Sequence, residues 1–194
     1  MDIDINYKDF GFYNIDLTYL KHLHDIDGEV RYSEEKAYDR KPFLGIMVMI
    51  NSYNYFIPLT SGKPKHSAWK VIGKDYFLIY ETIRPEEQRN GDIVKSLGSK
   101  LLRVLAVLDV KKMIPVPDGL YKQIDFMQVQ DQHYQGLLWK EFRSCRRIDK
   151  EILEKAEAAY REQKETGTIH PMFCNFAALE KACDDYRPEK LPSD

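Results

Sequence analysis

Phe43 to Ile50 reads FLGIMVMI, an apolar run bounded by Pro42 and Asn51. It is too short for an ordinary helix and carries Ile46, Val48 and Ile50, so it predicts a strand buried on both faces. Asn51-Ser52-Tyr53-Asn54 supplies turn residues, and Tyr55 to Leu59 resumes the apolar pattern. Together they predict an antiparallel hairpin. A hairpin this apolar must sit inside a larger sheet with cover on both sides. Antiparallel pairing also has a geometric consequence. It brings the entry of the first strand, near Lys41, beside the exit of the second, near Ser61.

The rest of the chain supplies the cover. Phe10 to Ile15 is a further strand, followed by Asp16 as N-cap of a helix over 17–24 with Leu17, Leu20 and Leu23 on one face. Tyr76 to Thr82 predicts another strand, and Met113 to Val116 a short one; Leu101 to Leu108 fits strand or helix on periodicity alone. From about Gln130 to Glu165 the chain has no proline and carries two helical stripes. Leu137, Leu138, Phe142 and Cys145 form one; Ile148, Ile152, Leu153, Ala156 and Tyr160 form the other. Gly167 stops that run, and Phe173 to Tyr186 predicts a last helix. The reading is an α+β chain with a helical C-terminal half, in which 1–194 is a single domain.

Charge is distributed unevenly. The chain holds 31 acidic and 29 basic residues, a formal net charge of −2. As a whole it is not a basic nucleic-acid binder, so any anion site must arise from local separation of charge. Such a separation exists. Between Arg40 and Lys74 there is no acidic residue, while Arg40, Lys41, Lys63, Lys65, Lys70 and Lys74 all fall there. Burial of the hairpin accounts for the lack of acids from Phe43 to Leu59, but not for six cations at its ends. The second strand runs out through PLTSGKPKH, Pro58 to His66, where hydroxyls, a glycine, lysines and a histidine lie together. The hairpin therefore assembles a basic, hydroxyl-bearing patch suited to a phosphate or a nucleic acid. A solvated turn with Thr60 and Ser61 as caps is the plainer alternative.

Other chemistries have less support. No HExxH, CxxC, P-loop or GxGxxG pattern is present; Gly91 to Gly98 has two glycines without the Walker lysine and serine. Asp125, Asp131 and Glu141 form no metal-ligand spacing, and neither a metal nor a cofactor is expected. Cys145, Cys174 and Cys183 fit free thiols in a reducing compartment. The N-terminus MDIDINYKDF lacks the apolar core of a signal peptide, and no run approaches a membrane span. A cytoplasmic protein without membrane contact is expected.

Three blocks resemble one family in order and spacing: FYNIDLTYLKHL, then RKPFLGIMVMINSYNYFIPLTSGKPKH, then MIPVP followed by YQGLLWKEF. They are similar to the ToxN/AbiQ toxins of type III toxin–antitoxin systems, from about Phe10 to Tyr160. The resemblance implies a twisted antiparallel sheet, partly barrel-like and akin to Kid/MazF, with helices around it. It implies a metal-independent endoribonuclease of phage defence by abortive infection, acting on cellular and phage RNA and not on DNA. It implies as partner a small pseudoknotted RNA from tandem repeats, which the toxin cuts and which holds it in a closed protein–RNA assembly. It places catalytic residues at Lys41, Thr60, Ser61 and Lys63. Arg40, Lys65, His66, Lys70 and Lys74 then fall beside them as RNA contacts.

The residue types suit that chemistry. When a 2′-hydroxyl attacks the neighbouring phosphate, charge gathers on the non-bridging oxygens, and fixed cations and donors stabilise it. Lys41 and Lys63 are point cations. Thr60 and Ser61 orient a hydroxyl or phosphate, and Gly62 permits close backbone approach. A crowded lysine and His66 remain rival proton carriers. Trp69, Tyr38 and Tyr53 fit base stacking, with core packing the better reading for at least two of them. An RNA-binding module without cleavage is the main alternative.

Overall fold

The computed structural model describes residues 3–32 and 44–187. Among them nine strands form one antiparallel sheet. They are β1 (Ile5–Asn6), β2 (Phe12–Ile15), β3 (Leu44–Ile50), β4 (Tyr53–Ser61), β5 (Tyr76–Ile83), β6 (Val94–Leu97), β7 (Lys100–Asp109), β8 (Ile114–Pro115) and β9 (Tyr121–Gln123). The helices are α1 (Leu17–Ile26), α2 (Gln132–Arg146), α3 (Asp149–Thr166) and α4 (Phe176–Asp185). The main path runs β5-β7-β4-β3-β2-β9, with β1 on β3, β6 on β7 and β8 on β4. It ends at β5 and β9, so the sheet is open.

The predicted hairpin is the centre of this sheet. β3 and β4 pair in unbroken register from Leu44–Leu59 to Ile50–Tyr53, and Asn51 takes the turn with φ 54°. An asparagine tolerates that left-handed conformation because its side chain bonds locally; its Oδ1 accepts the Asp4 N–H. Ile46, Val48, Tyr55, Phe56 and Ile57 are fully buried. Each such side chain contributes roughly 1.5–3 kcal/mol. β4 then passes to β7, pairing Leu59–Leu108, Thr60–Val107 and Ser61–Ala106. This second partner holds the far end of β4 in place where its hydroxyls leave the sheet.

Leu101 to Leu108 is strand. It pairs with β5 along its length and with β4 and β6, so tertiary pairing settles what periodicity left open. Asp16 caps α1 as expected, accepting from the Tyr19 N–H at 2.9 Å. Gly167 ends α3 at φ 66°. The helical half is a correction: β7, β8 and β9 carry the sheet to Gln123, and α2 begins only at Gln132. The long helical run also breaks at Arg147-Ile148, between the two stripes. α4 starts at Phe176 because Asn175 caps it, accepting the Ala178 N–H.

One core joins the sheet to the helices and a smaller cluster lies elsewhere. Phe12, Leu20, Leu23, Phe77, Leu108, Leu138, Ile152, Ala156 and Leu179 belong to the main core. Within it Glu180 accepts from the hydroxyls of Tyr55 (2.9 Å) and Tyr160 (2.7 Å) and pairs with Lys164. The buried carboxylate is thus fully engaged, as a buried charge must be. The smaller cluster contains Leu78, Val104 and Val107, with Trp69, Tyr76 and Ile93 packed on it. It lies under the segment that follows β4. No helix of the described residues is long and apolar enough to cross a membrane.

Candidate functional site

After Ser61 the chain turns sharply over β7. The Gly62 N–H donates to the Leu105 carbonyl at 2.9 Å, extending the β4–β7 ladder by one bond. A Cβ at Gly62 would stand 3.2 Å from the Val104 oxygen and 3.3 Å from Ile93 Cδ1 and the Leu105 oxygen. Glycine therefore suits a close backbone approach here, not an unusual φ. Lys63 and His66 then close a small ring. The Lys63 N–H donates to His66 Nδ1 at 2.9 Å, and the His66 N–H to the Lys63 carbonyl at 2.8 Å. Pro64–Ala68 forms a 3-10 turn, consistent with proline at its start.

His66 is 5% exposed, with its ring 4.5 Å from that of Trp69, which lies 4.6 Å from Tyr76. Burial, followed by the charges of Lys65, Lys63 and Arg31, holds the imidazole below its ordinary value; Asp109 opposes this. The ring is neutral at neutral pH. Because Nδ1 accepts a backbone hydrogen bond, the proton sits on Nε2. His66 thus fixes the turn that presents Lys63. Its Nδ1 lone pair is already engaged.

Around this turn the predicted residues separate by environment. Ser61, Lys63, Lys65 and Lys70 are exposed and Thr60 is half-buried. The Thr60 hydroxyl reaches the Val107 carbonyl only at 3.5 Å, a long contact that leaves it able to turn to a ligand. Lys65 lies over the Trp69 ring at 5.6 Å. Lys74 faces an acid that the linear sequence placed far away, Glu162 of α3, at 3.5 Å. Lys155 braces the same loop from α3 through the Gly73 and Lys74 carbonyls at 2.7 and 3.1 Å. Trp69 packs in the small cluster, and the Tyr53 hydroxyl bonds Asp184 at 2.7 Å. Arg40, Lys41 and Tyr38 lie outside the described residues.

Charged residues that the sequence did not single out also approach the turn. Arg31 Nη2 lies 2.6 Å from Asp109 Oδ2. Lys111 Nζ is 3.0 Å from Asp75 and 3.7 Å from Asp109 Oδ1. No local pattern marks these pairs, since Arg31 and Asp109 are 78 residues apart. Beyond Gly62 opens a cavity of about 590 Å³ between the loop over residues 89–93, β7 and α2. Ile93, Val104 and Leu105 line its near side, with Arg89, Gln132 and Lys140 among its polar groups. Arg103 at its base is held by Glu81 (2.6 Å) and Asp92 (2.7 Å). The assembly is an exposed hydroxyl–glycine–lysine turn, rigidly backed, with cations around it and an open groove beside it.

Comparison with known proteins identifies the family. The sequence matches the family described as toxin ToxN, type III toxin–antitoxin system, over residues 11–184. It is 28% identical to endoribonuclease ToxN of Pectobacterium atrosepticum, covering 92% of this chain and 94% of that protein. It is 26% identical to endoribonuclease AbiQ of Lactococcus lactis subsp. lactis, covering 87% and 85%. In fold it is similar to a solved type III toxin–antitoxin structure concerned with toxin inhibition by a non-coding RNA pseudoknot. That likeness has a TM-score of 0.69 at 22% identity, over 92% of this chain and 98% of the other. It is similar also to AbiQ, a lactococcal anti-phage endoribonuclease, with a TM-score of 0.65 at 22% identity, over 90% and 96%. With the family pattern running through the sheet, the Ser61 turn and the helices, this chain belongs to the ToxN family of toxins from type III toxin–antitoxin systems.

Proposed function

We propose that this chain is an endoribonuclease toxin that cuts RNA at the Thr60–Lys63 turn. The observation that carries the reading is the exposed Ser61–Gly62–Lys63 segment, held by the Gly62–Leu105 and Lys63–His66 hydrogen bonds beside an open groove. In the reaction the 2′-oxygen attacks phosphorus and the bond from phosphorus to the 5′-oxygen breaks. The 2′ proton leaves to a base, a proton arrives at the 5′-oxygen, and a 2′,3′-cyclic phosphate remains. Lys63, and Lys41 from the strand entry, stabilise charge on the non-bridging oxygens, while Ser61 and Thr60 orient the reacting groups. His66 holds the turn. Lys65 and Lys70, with Arg40, hold neighbouring phosphates. Lys74 joins them by leaving Glu162, a surface pair worth only about 0–1 kcal/mol. The groove past Gly62 takes the adjoining nucleotides.

The wider reading is of one domain working in the cytoplasm, its sheet curled part-way toward a Kid/MazF-like barrel. Its inhibitor is a small pseudoknotted RNA that it cuts from a tandem-repeat precursor and retains in a closed protein–RNA assembly. Growth arrest on release serves defence against phage. These points rest on the family and on a site suited to RNA.

Cleavage is expected to continue in excess chelator, with cyclic phosphate on the upstream product, read by end-group analysis. Recovery only with added Mg²⁺, or a 5′-phosphate on the downstream product, would contradict attack by the 2′-oxygen. Tight RNA binding with no cleavage would favour the binding-module reading.

A further inference from the structure

We propose that Arg31 is a further catalytic residue, a guanidinium on the phosphate at the Thr60 face of the turn, with Asp109 as its positioning residue. This deepens the reading of the turn as the cleavage site and rests on it. The strand register supplies the geometry. Thr60 and Val107 are direct partners, so they share a face of the sheet. Asp109 lies two residues along β7 and faces the same way, opposite Tyr76 of β5. This is the face on which Trp69 packs, and the Asp109 charge is felt at His66 of the 3-10 turn.

Asp109 is a deliberate-looking anchor for a cation. Its side chain is 6% exposed, whereas that of Arg31 is 37% exposed. The buried carboxylate grips one end of the guanidinium through Nη2, and Lys111 stands on its other oxygen side at 3.7 Å. Lys111 is itself tied to Asp75, which holds its charge beside the carboxylate without a hydrogen bond to it. Arg31 Nε and Asp109 Oδ1 are both buried and find no hydrogen-bond partner among the described residues, so the outward-facing part of the fork is the guanidinium end. One carboxylate oxygen thus engages a single corner of a five-donor fork. The partly exposed remainder is held on the site's face, where its charge reaches His66 together with those of Lys63 and Lys65. Buried ion pairs cost desolvation, so an interior carboxylate aiming an arginine outward is better explained by the arginine's target than by stability. A planar fork is suited to two non-bridging phosphate oxygens at once, which a lysine cannot match. Its partner chemistry is therefore a phosphodiester whose charge grows during reaction.

The test is single-turnover cleavage at saturating RNA by the full-length protein, with Lys63→Ala as companion and thermal melting recorded for each variant. Arg31→Ala is expected to cut about a hundredfold more slowly while binding within about tenfold. Added guanidinium ion should restore part of the rate to Arg31→Ala and none to Lys63→Ala. Arg31→Lys should keep binding yet remain about tenfold slow, since charge returns without the fork. Asp109→Asn should lower turnover more than affinity, and guanidinium should not rescue it. Parental turnover by Arg31→Ala at saturation would overturn the proposal. So would a slow Arg31→Ala that guanidinium leaves unchanged and that melts early, which would make the residue structural. If Arg31→Ala does not fold, Arg31→Gln carries the same comparison. A parent that does not cut, or a Lys63→Ala variant that cuts normally, would fail the site reading itself, whatever Arg31 does.

Discussion

Lys63→Ala is expected to bind a repeat RNA within about tenfold of the parent, a difference of ~1.4 kcal/mol, and to cut it about 10²–10³-fold more slowly. The split follows from how the turn is built. The backbone of Lys63 is held by His66, and Gly62 by Leu105, so the substitution removes a side chain without releasing the turn. Lys63 is exposed and enters no ion pair among the described residues, so its loss strands no buried acid. What disappears is a cation facing charge that develops only in the transition state, and such a loss falls on turnover. The holding positions should behave in the opposite way. Replacing Lys65 and Lys70 removes phosphate contacts and their counterion release, which flattens the salt dependence of binding and spares the rate at saturation. Single-turnover rates beside binding across a salt series separate the two classes. If Lys63→Ala lost binding and cut normally when saturated, the catalyst would lie elsewhere.

The second large effect is on stability and concerns α2. Glu141 is 5% exposed on the stripe of Leu138 and Cys145, and no cation among the described residues pairs with it. Burial pushes its carboxyl up to about 7. The folded pKa is therefore above the ordinary value, and the folded state holds a proton that the unfolded chain releases. The Glu141 contribution to stability is greatest below about pH 4.5, falls as pH rises through 4.5 to 7, and then stays level. Glu141→Gln keeps the shape and cannot ionise. It should match the parent at acid pH and exceed it by about 3 kcal/mol above pH 7. Denaturant unfolding at pH 4 and pH 8 measures the difference. An equal gap at both pH values would show that Glu141 is solvated or paired in solution.

These two residues illustrate what a sequence discloses. The β3–β4 hairpin was legible because its apolar run is dense, bounded and too short for a helix. The Ser61 turn followed, since antiparallel pairing fixes where its ends go. β6 and β9 were not legible: VKSL and YKQ are short and polar, and only pairing with β7 and β2 makes them strands. Glu141 interrupts no pattern, because one acid within an amphipathic helix reads as solvent-facing unless the packing partner is known. The acid-free window was real along the chain but incomplete in space. Glu162 reaches Lys74 from α3, and the Asp109 charge reaches His66 from β7. Charge pairs between distant segments leave no local signature, so the basic patch was predicted broader and freer than it is.

The same limit applies to Lys41. It lies outside the described residues, which resume at Leu44, the partner of Leu59. Its role is a proposal from the family pattern. The Thr60–Lys63 turn, by contrast, is held by the Gly62–Leu105 and Lys63–His66 hydrogen bonds.

Expression of the parent and of Ser61→Ala in a bacterium without the inhibitory RNA, with growth followed and the soluble protein checked for folding, addresses the claim directly. The parent should arrest growth, and Ser61→Ala, folded and equally abundant, should not. A folded Ser61→Ala that arrests growth as strongly as the parent would show that Ser61 merely caps a turn and that the site proposed here is misplaced.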